Sequence, residues 1–232
     1  MDVEVLPGPS LAERARTAVA QARLATVTWG EPEVAPGFPD RVTATAAIRV
    51  DRLGRPLLLL PPRETVTQAL ATSPRVTVTV AAPAPLRSLA LSGAVQARPE
   101  ADGRVGHLLD VRALRFAGPG RTRVPLAEYE AAEPDPLWRV AAGAVRHLEH
   151  GHMAELMGCV RAHGMHQAEW VVPRGLDRFG LELAVITASG VAAVRLSFPD
   201  GPVSSLDEVP ASLQAVLACR CRPSSRPGPE HA

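Results

Sequence analysis

The stretch HLEHGHMAELMGCVRAHGMH carries His147, His150, His152, His163 and His166, with Glu149 and Cys159 among them. Imidazole, thiol and carboxylate groups ligate transition metals and move protons near neutral pH. A zinc site needs three or four such ligands on one side. On a continuous helix turning ~100° per residue, these side chains do not converge. Val145, Leu148, Leu156, Cys159 and Val160 form one apolar face. His152 projects into that face, Glu149 lies on the same side one turn earlier, and His163 returns to it. His150 points to solvent and His147 sits on the flank. His147 and His150 are spaced to grip a metal, yet no H-E-x-x-H or C-x-x-C accompanies them. The expectation is a half-buried His152 held by Glu149 or a backbone carbonyl, a pairing that favours imidazolium if both are buried. Cys159 reads as a packing cysteine. Cys219 and Cys221 are too close in sequence for a good disulfide and too few for a metal site.

Other chemistries lack their signatures. There is no G-x-G-x-x-G, no G-x-S-x-G and no Walker loop. All 25 basic residues are Arg, so no lysine exists to serve a phosphate loop. The Arg, Ala, Pro and Gly bias fits GC-rich coding, so arginine abundance by itself is no functional signal. A net charge of +1 supplies no field to steer nucleic acid or an anionic membrane. Aromatic residues at 3 % argue against base-stacking platforms. Hydrophobic residues at 46 % are enough for a packed core. No apolar run approaches the ~20 residues of a membrane span. The low, odd cysteine count and the acidic first residues lead to an expectation of a cytoplasmic protein without nucleic-acid or membrane partners.

The elements that must position these residues fall into two groups. Residues 1–10 read as a flexible tail. Ser10 and Glu13 form a capping-box signature ahead of a helix. Strand signals follow at 24–29, 42–50, 56–62, 75–82, 86–99 and 107–118, with a short helix at 64–71 and a turn at 51–56. Gly93 suits a bulge or bend in the fifth strand. About six strands at this spacing predict an antiparallel barrel over residues 11–133, with 118–136 as loop and linker. Residues 137–222 read as α-β-β-β-α: a helix over 137–163 stopped by Gly164, strands at 168–176, 181–190 and 191–198 around the turn DRFG, and a helix near 209–221. Residues 223–232 read as a disordered tail. The fold class is α+β.

The second group carries an ordered set of motifs. His147-Leu148-Glu149-His150-Gly151-His152 is followed by Asp177-Arg178-Phe179-Gly180, then by Arg195-Leu196-Ser197-Phe198-Pro199 and a closing helix. This resembles the pattern H-x-N-x-D-H, D-x-x-G, R-x-x-F-P of a C-terminal domain. That domain follows a split β-barrel in heme-utilisation proteins and occurs in plant proteins that bind glutamyl-tRNA reductase. The stretch GRPLLLLPPRETVTQALATSPRVTVTV is similar to the split barrel of the pyridoxamine 5'-phosphate oxidase type, the FMN-binding fold. His147, Glu149, His152, Asp177, Gly180, Arg195 and Phe198 are the residues that mark the resemblance. Glu149 and Gly151 replace the pattern's Asn and Asp. Val66 and Ala69 replace a His and an Asn common after the third barrel strand.

The resemblance implies a homodimer and a tetrapyrrole or flavin ligand. Heme is the first cofactor, with His231 as iron ligand and His166 or His163 as the next candidates. FMN is the second, with Arg63, Thr65, Thr67 and Arg75 left to hold its phosphate. The implied activities are heme binding with utilisation or degradation, flavin-dependent oxidoreduction, and non-catalytic regulation of tetrapyrrole synthesis through a protein partner. If the protein is an enzyme, it is implied to be heme oxygenase-like or a flavin oxidoreductase. No catalytic residue emerges from the residues themselves.

Overall fold

Ser10 starts the first helix as its side chain requires. Its Oγ accepts from the Glu13 amide at 3.1 Å, and the Glu13 carboxylate accepts from the Ser10 amide at 2.8 Å. The helix that follows, α1 (Leu11–Gln21), buries Ala12, Ala15, Ala18 and Val19 on one face. The computed structural model describes residues 8–29, 42–60, 70, 75–82, 86–99, 105–118 and 122–218. They fall into two units, Pro9–Trp138 and a second that begins at Arg139.

The first unit contains β1 (Leu24–Trp29), β2 (Val42–Val50), β3 (Pro56–Leu59), β4 (Arg75–Ala81), β5 (Ser88–Pro99), β6 (Val105–Ala117) and β7 (Thr122–Val124). The sheet order is β3-β2-β1-β4-β5-β6-β7, with antiparallel neighbours. Pairing of β3 with β6 closes the first six strands into a barrel. Alternation decides which side chains fill it. Val76, Val78 and Val80 point inward, while Arg75, Thr77 and Thr79 face out. Val27, Leu58, Val78, Leu89, Leu91 and Phe116 are wholly buried, each worth about 1.5–3 kcal/mol of removed apolar surface. The turn between β2 and β3 is set by Asp51. Its Oδ1 accepts from the Leu53 and Arg55 amides, both at 2.9 Å, and Gly54 takes φ +71°. Arg16 of α1 donates to Gly54 O at 2.8 Å and to Ala132 O at 3.0 Å, which ties the helix to the barrel rim.

Two elements occupy the segment read as linker. β7 adds to the end of β6, and α2 (Leu126–Ala131) buries Tyr129 against the same core. A three-residue strand and a six-residue helix are too short for periodicity to reveal. The short helix expected at 64–71 lies outside the described residues except Leu70.

The second unit corrects the long helix. The chain turns through 136–140 and runs as α3 (Ala141–Gly151) and α4 (Met153–Ala162), parted at His152. His152 takes φ −131°, ψ 23° and so leaves helical geometry. Its amide still donates to Leu148 O, and its carbonyl still accepts from the Leu156 amide, both at 3.0 Å. Gly151, among the costliest residues in a helix interior, precedes the break. Gly164 ends α4 at φ +92°, donating to Arg161 O while Met165 donates to Val160 O. This is the paired closure of a Schellman cap.

β8 (Trp170–Asp177), β9 (Gly180–Thr187) and β10 (Gly190–Ser197) form an antiparallel sheet. Its buried face holds Val171, Leu176, Leu181, Leu183, Val185 and Leu196. A 3-10 turn (Leu206–Glu208) leads into α5 (Val209–Ala218). Cys159 is buried, with its thiol 3.2 Å from Val216 O. No helix among the described residues is long and apolar enough to cross a membrane.

Candidate functional site

A bulge in β6 shapes the outer face of the barrel. Ser92 pairs with Ala113 and Gly93 with Val111, so Arg112 has no partner on β5. The extra residue shifts the alternation. Leu109 and Val111 point inward before it, Leu114 and Phe116 after it, and Arg112 and Ala113 both face out. Gly93 permits this pairing. A Cβ there would meet the Asp110 carbonyl oxygen and lie 3.1 Å from Val111 Cα. The glycine expected to mark a bulge does so by letting the neighbouring backbone come close.

The register assembles a cleft of about 870 Å³ on this face, within the ~300–1,000 Å³ range of ligand sites. One row across the strands is Thr28, Thr77, Ser92. The Thr77 and Ser92 hydroxyls lie 3.1 Å apart. A second row, Thr79, Ala90, Arg115, borders it on one side, and Arg75 beside Ala94 borders it on the other. Arg75, Arg112 and Arg115 are the charged residues lining the cleft among those described. Arg112 also reaches Asp110 Oδ2 at 2.6 Å, in an exposed pair. Such a pair contributes at most about 1 kcal/mol and yields to a better anion. Three guanidiniums around a band of hydroxyls make a receptor for a ligand with more than one anionic group.

Of the residues expected to hold a cofactor, Arg75 is in this cleft. Arg112 and Arg115 were missed by sequence reasoning, because only the bulge and the strand register bring them to Arg75. Their one sequence signal was Gly93. Arg63, Thr65 and His231 lie outside the described residues, as do Cys219 and Cys221.

His163 and His166 belong to the second unit and are exposed. His163 does not return to the apolar face, because it is already the cap residue of α4. Its Nδ1 lies 2.8 Å from Cys159 O. Glu149 is also exposed and does not hold His152. Instead His152 Nε2 meets His147 Nε2 at 3.2 Å, and His152 Nδ1 lies 3.8 Å from Glu155 Oε1. His150 places Nδ1 2.7 Å from Arg146 O. Among the described residues, no three His, Cys, Asp or Glu groups surround one metal position.

The remaining marker residues form a structural lock. Arg195 donates to both oxygens of Asp177, at 2.8 and 2.7 Å, and to Glu182 at 2.6 Å. Burial opposes the guanidinium's charge, but the two carboxylates outweigh it and raise the pKa. Asp177 also accepts from the Phe179 amide at 2.9 Å, which shapes the β8–β9 turn. Gly180, at φ +149°, lets the Leu196 carbonyl approach where a Cβ would stand. Phe198 is buried and donates its amide to Phe179 O at 3.0 Å.

Neither a protein-family model nor a curated protein matches the chain. Solved structures do. A heme binding protein from Mycobacterium smegmatis is 27 % identical with a TM-score of 0.63, over 91 % of this chain and 98 % of that one. A protein of unknown function from Agrobacterium tumefaciens aligns over 93 % of this chain and 100 % of its own, at 16 % identity and TM-score 0.39. A Clostridium acetobutylicum protein of the pyridoxinephosphate oxidase family, related to general stress protein 26, covers 51 % of this chain and 96 % of its own, at 9 % and 0.41. The closed six-stranded barrel followed by a small α+β unit is the split-barrel arrangement that the resemblance implied.

Proposed function

We propose that the protein binds heme, with the propionates held in the arginine-lined cleft on the outer face of the barrel. The cleft carries the reading: Arg75, Arg112 and Arg115 offer forked donors to two carboxylates, and Thr77 and Ser92 offer hydroxyls beside them. The likeness to the Mycobacterium smegmatis heme binding protein, which runs through most of the chain, supports heme over other dianions. Heme would supply a redox-active iron when bound, and the role of the protein is heme binding for utilisation. The imidazole of His231 is the residue proposed to ligate the iron. The cleft lies on the outer face of the barrel, and we propose that a second copy of the chain covers it as a homodimer. A cytoplasmic location remains part of this proposal.

Hemin titration of the full-length protein tests the reading. The expected result is a shifted Soret band, with hemin affinity at least about a hundredfold weaker in Arg75→Ala/Arg115→Ala, since charged hydrogen bonds contribute about 1.5–3 kcal/mol each. His231→Ala should alter the position of the band. No Soret shift with the wild type overturns the proposal. A purified protein that is yellow and carries FMN absorbance replaces it with the flavin reading.

A further inference from the structure

The break at His152 makes a contact that a continuous helix forbids. Five residues along a straight helix, His147 and His152 would point about 140° apart. With His152 out of helical geometry, the two Nε2 atoms stand 3.2 Å apart and the rings meet edge to face, centroids 5.0 Å apart. Two nitrogens bound at ~2.0–2.1 Å to one tetrahedral ion lie roughly 3.3 Å from each other. The pair therefore already has the bite of a bidentate metal ligand.

Its surroundings favour that use. Glu155 Oε1 stands 3.8 Å from His152 Nδ1. That is longer than a hydrogen bond, but a carboxylate on this side favours a proton on Nδ1 and leaves Nε2 as the lone-pair nitrogen. His147 is exposed and His152 half-buried, so an ion can enter from solvent. His150, the nearest alternative partner in sequence, is turned away onto Arg146 O.

We propose that His147 and His152 bind a divalent transition cation of the Zn²⁺ or Cu²⁺ class across the helix break, with Glu155 as a positioning residue. The two imidazoles take two coordination positions, and water or an external ligand takes the others. Without metal, one proton bridges the nitrogens as an N–H···N hydrogen bond. On binding, that proton passes to Nδ1 of the same ring, which leaves both Nε2 lone pairs for the ion. Copper binds more tightly than zinc, as the general affinity order requires. The site lies within the second unit and does not depend on heme binding at the barrel.

Zn²⁺ titration of the full-length protein against a chromophoric chelator is the test, alongside Cu²⁺ electron paramagnetic resonance. The wild type should take up one equivalent. His147→Ala and His152→Asn should each lose it or weaken it at least tenfold, and His150→Ala should retain it. Glu155→Gln should weaken it by about tenfold, the low end for a second-sphere carboxylate. The copper spectrum should show two imidazole nitrogens in the wild type and one in either His147→Ala or His152→Asn. His147 is an exposed helix residue, so its removal leaves the fold intact. Zinc uptake and copper spectra unchanged in both variants would assign binding elsewhere and overturn the proposal, as would no uptake by the wild type.

Discussion

Replacing Gly93 with alanine should damage the barrel and the cleft together. The new methyl group would meet the Asp110 carbonyl oxygen, with Asp110 C at 2.9 Å and Val111 Cα at 3.1 Å. All three atoms are backbone, so no side chain can rotate away. Either β6 moves off β5 or the bulge is rebuilt, and both disturb the longest strand pair in the barrel. Overpacking of this kind costs about 1–3 kcal/mol. A chain of this size loses roughly 2–4 °C of Tm per kcal/mol. The expected decrease is therefore roughly 2–12 °C by circular dichroism. The same displacement moves Arg112, so hemin affinity should fall even below the melting transition. Ser92→Ala, one residue earlier, removes an outward hydroxyl and its contact with Thr77 but meets no backbone, and should lower Tm by less than Gly93→Ala. If Gly93→Ala melts with the wild type, the close approach of β6 at this residue is wrong, and with it the bulge that presents Arg112.

Two further predictions concern the second unit and the barrel's closing edge. Arg195→Leu leaves Asp177 and Glu182 facing each other in a largely buried site, and should cost about 3 kcal/mol in urea unfolding. Arg195→Lys should recover little of this, because a point charge cannot replace the fork on Asp177. His107 is half-buried, and burial pushes its pKa below the ordinary 6.5. The folded state then holds fewer protons than the unfolded one between those two values, so stability present above 6.5 is lost as pH falls through the folded value. Urea midpoints at about pH 7.5 and 5.5 should separate more for the wild type than for His107→Leu. An equal separation would contradict the placement of His107.

The architecture draws a distinction between marker residues and ligand-binding residues. Asp177, Gly180, Arg195 and Phe198 secure one hairpin and the strand beside it. They identify the fold because the β8–β9 turn and the approach of β10 require them. The arginines of the cleft sit on an ordinary sheet face, and their significance comes from their neighbours across the strands.

Local pattern was enough to reveal much of the chain. The capping box at Ser10, the alternation of β4, the Asp51 turn, the stop at Gly164 and the glycine in β5 are all consequences of residues within a few positions of one another, where backbone sterics and single hydrogen bonds decide the outcome. Two things needed the tertiary structure. Arg75 and Arg112 come together only through strand register and an extra residue opposite Gly93, and register is a property of pairs of distant segments. The helix over 137–163 followed a correct apolar period, with Leu148, Leu156, Cys159 and Val160 all buried. Periodicity assumes a constant turn per residue, however, and one residue outside helical geometry reset it. That residue is His152, and the reset is what turned a flank histidine and one expected within the apolar face into a facing pair.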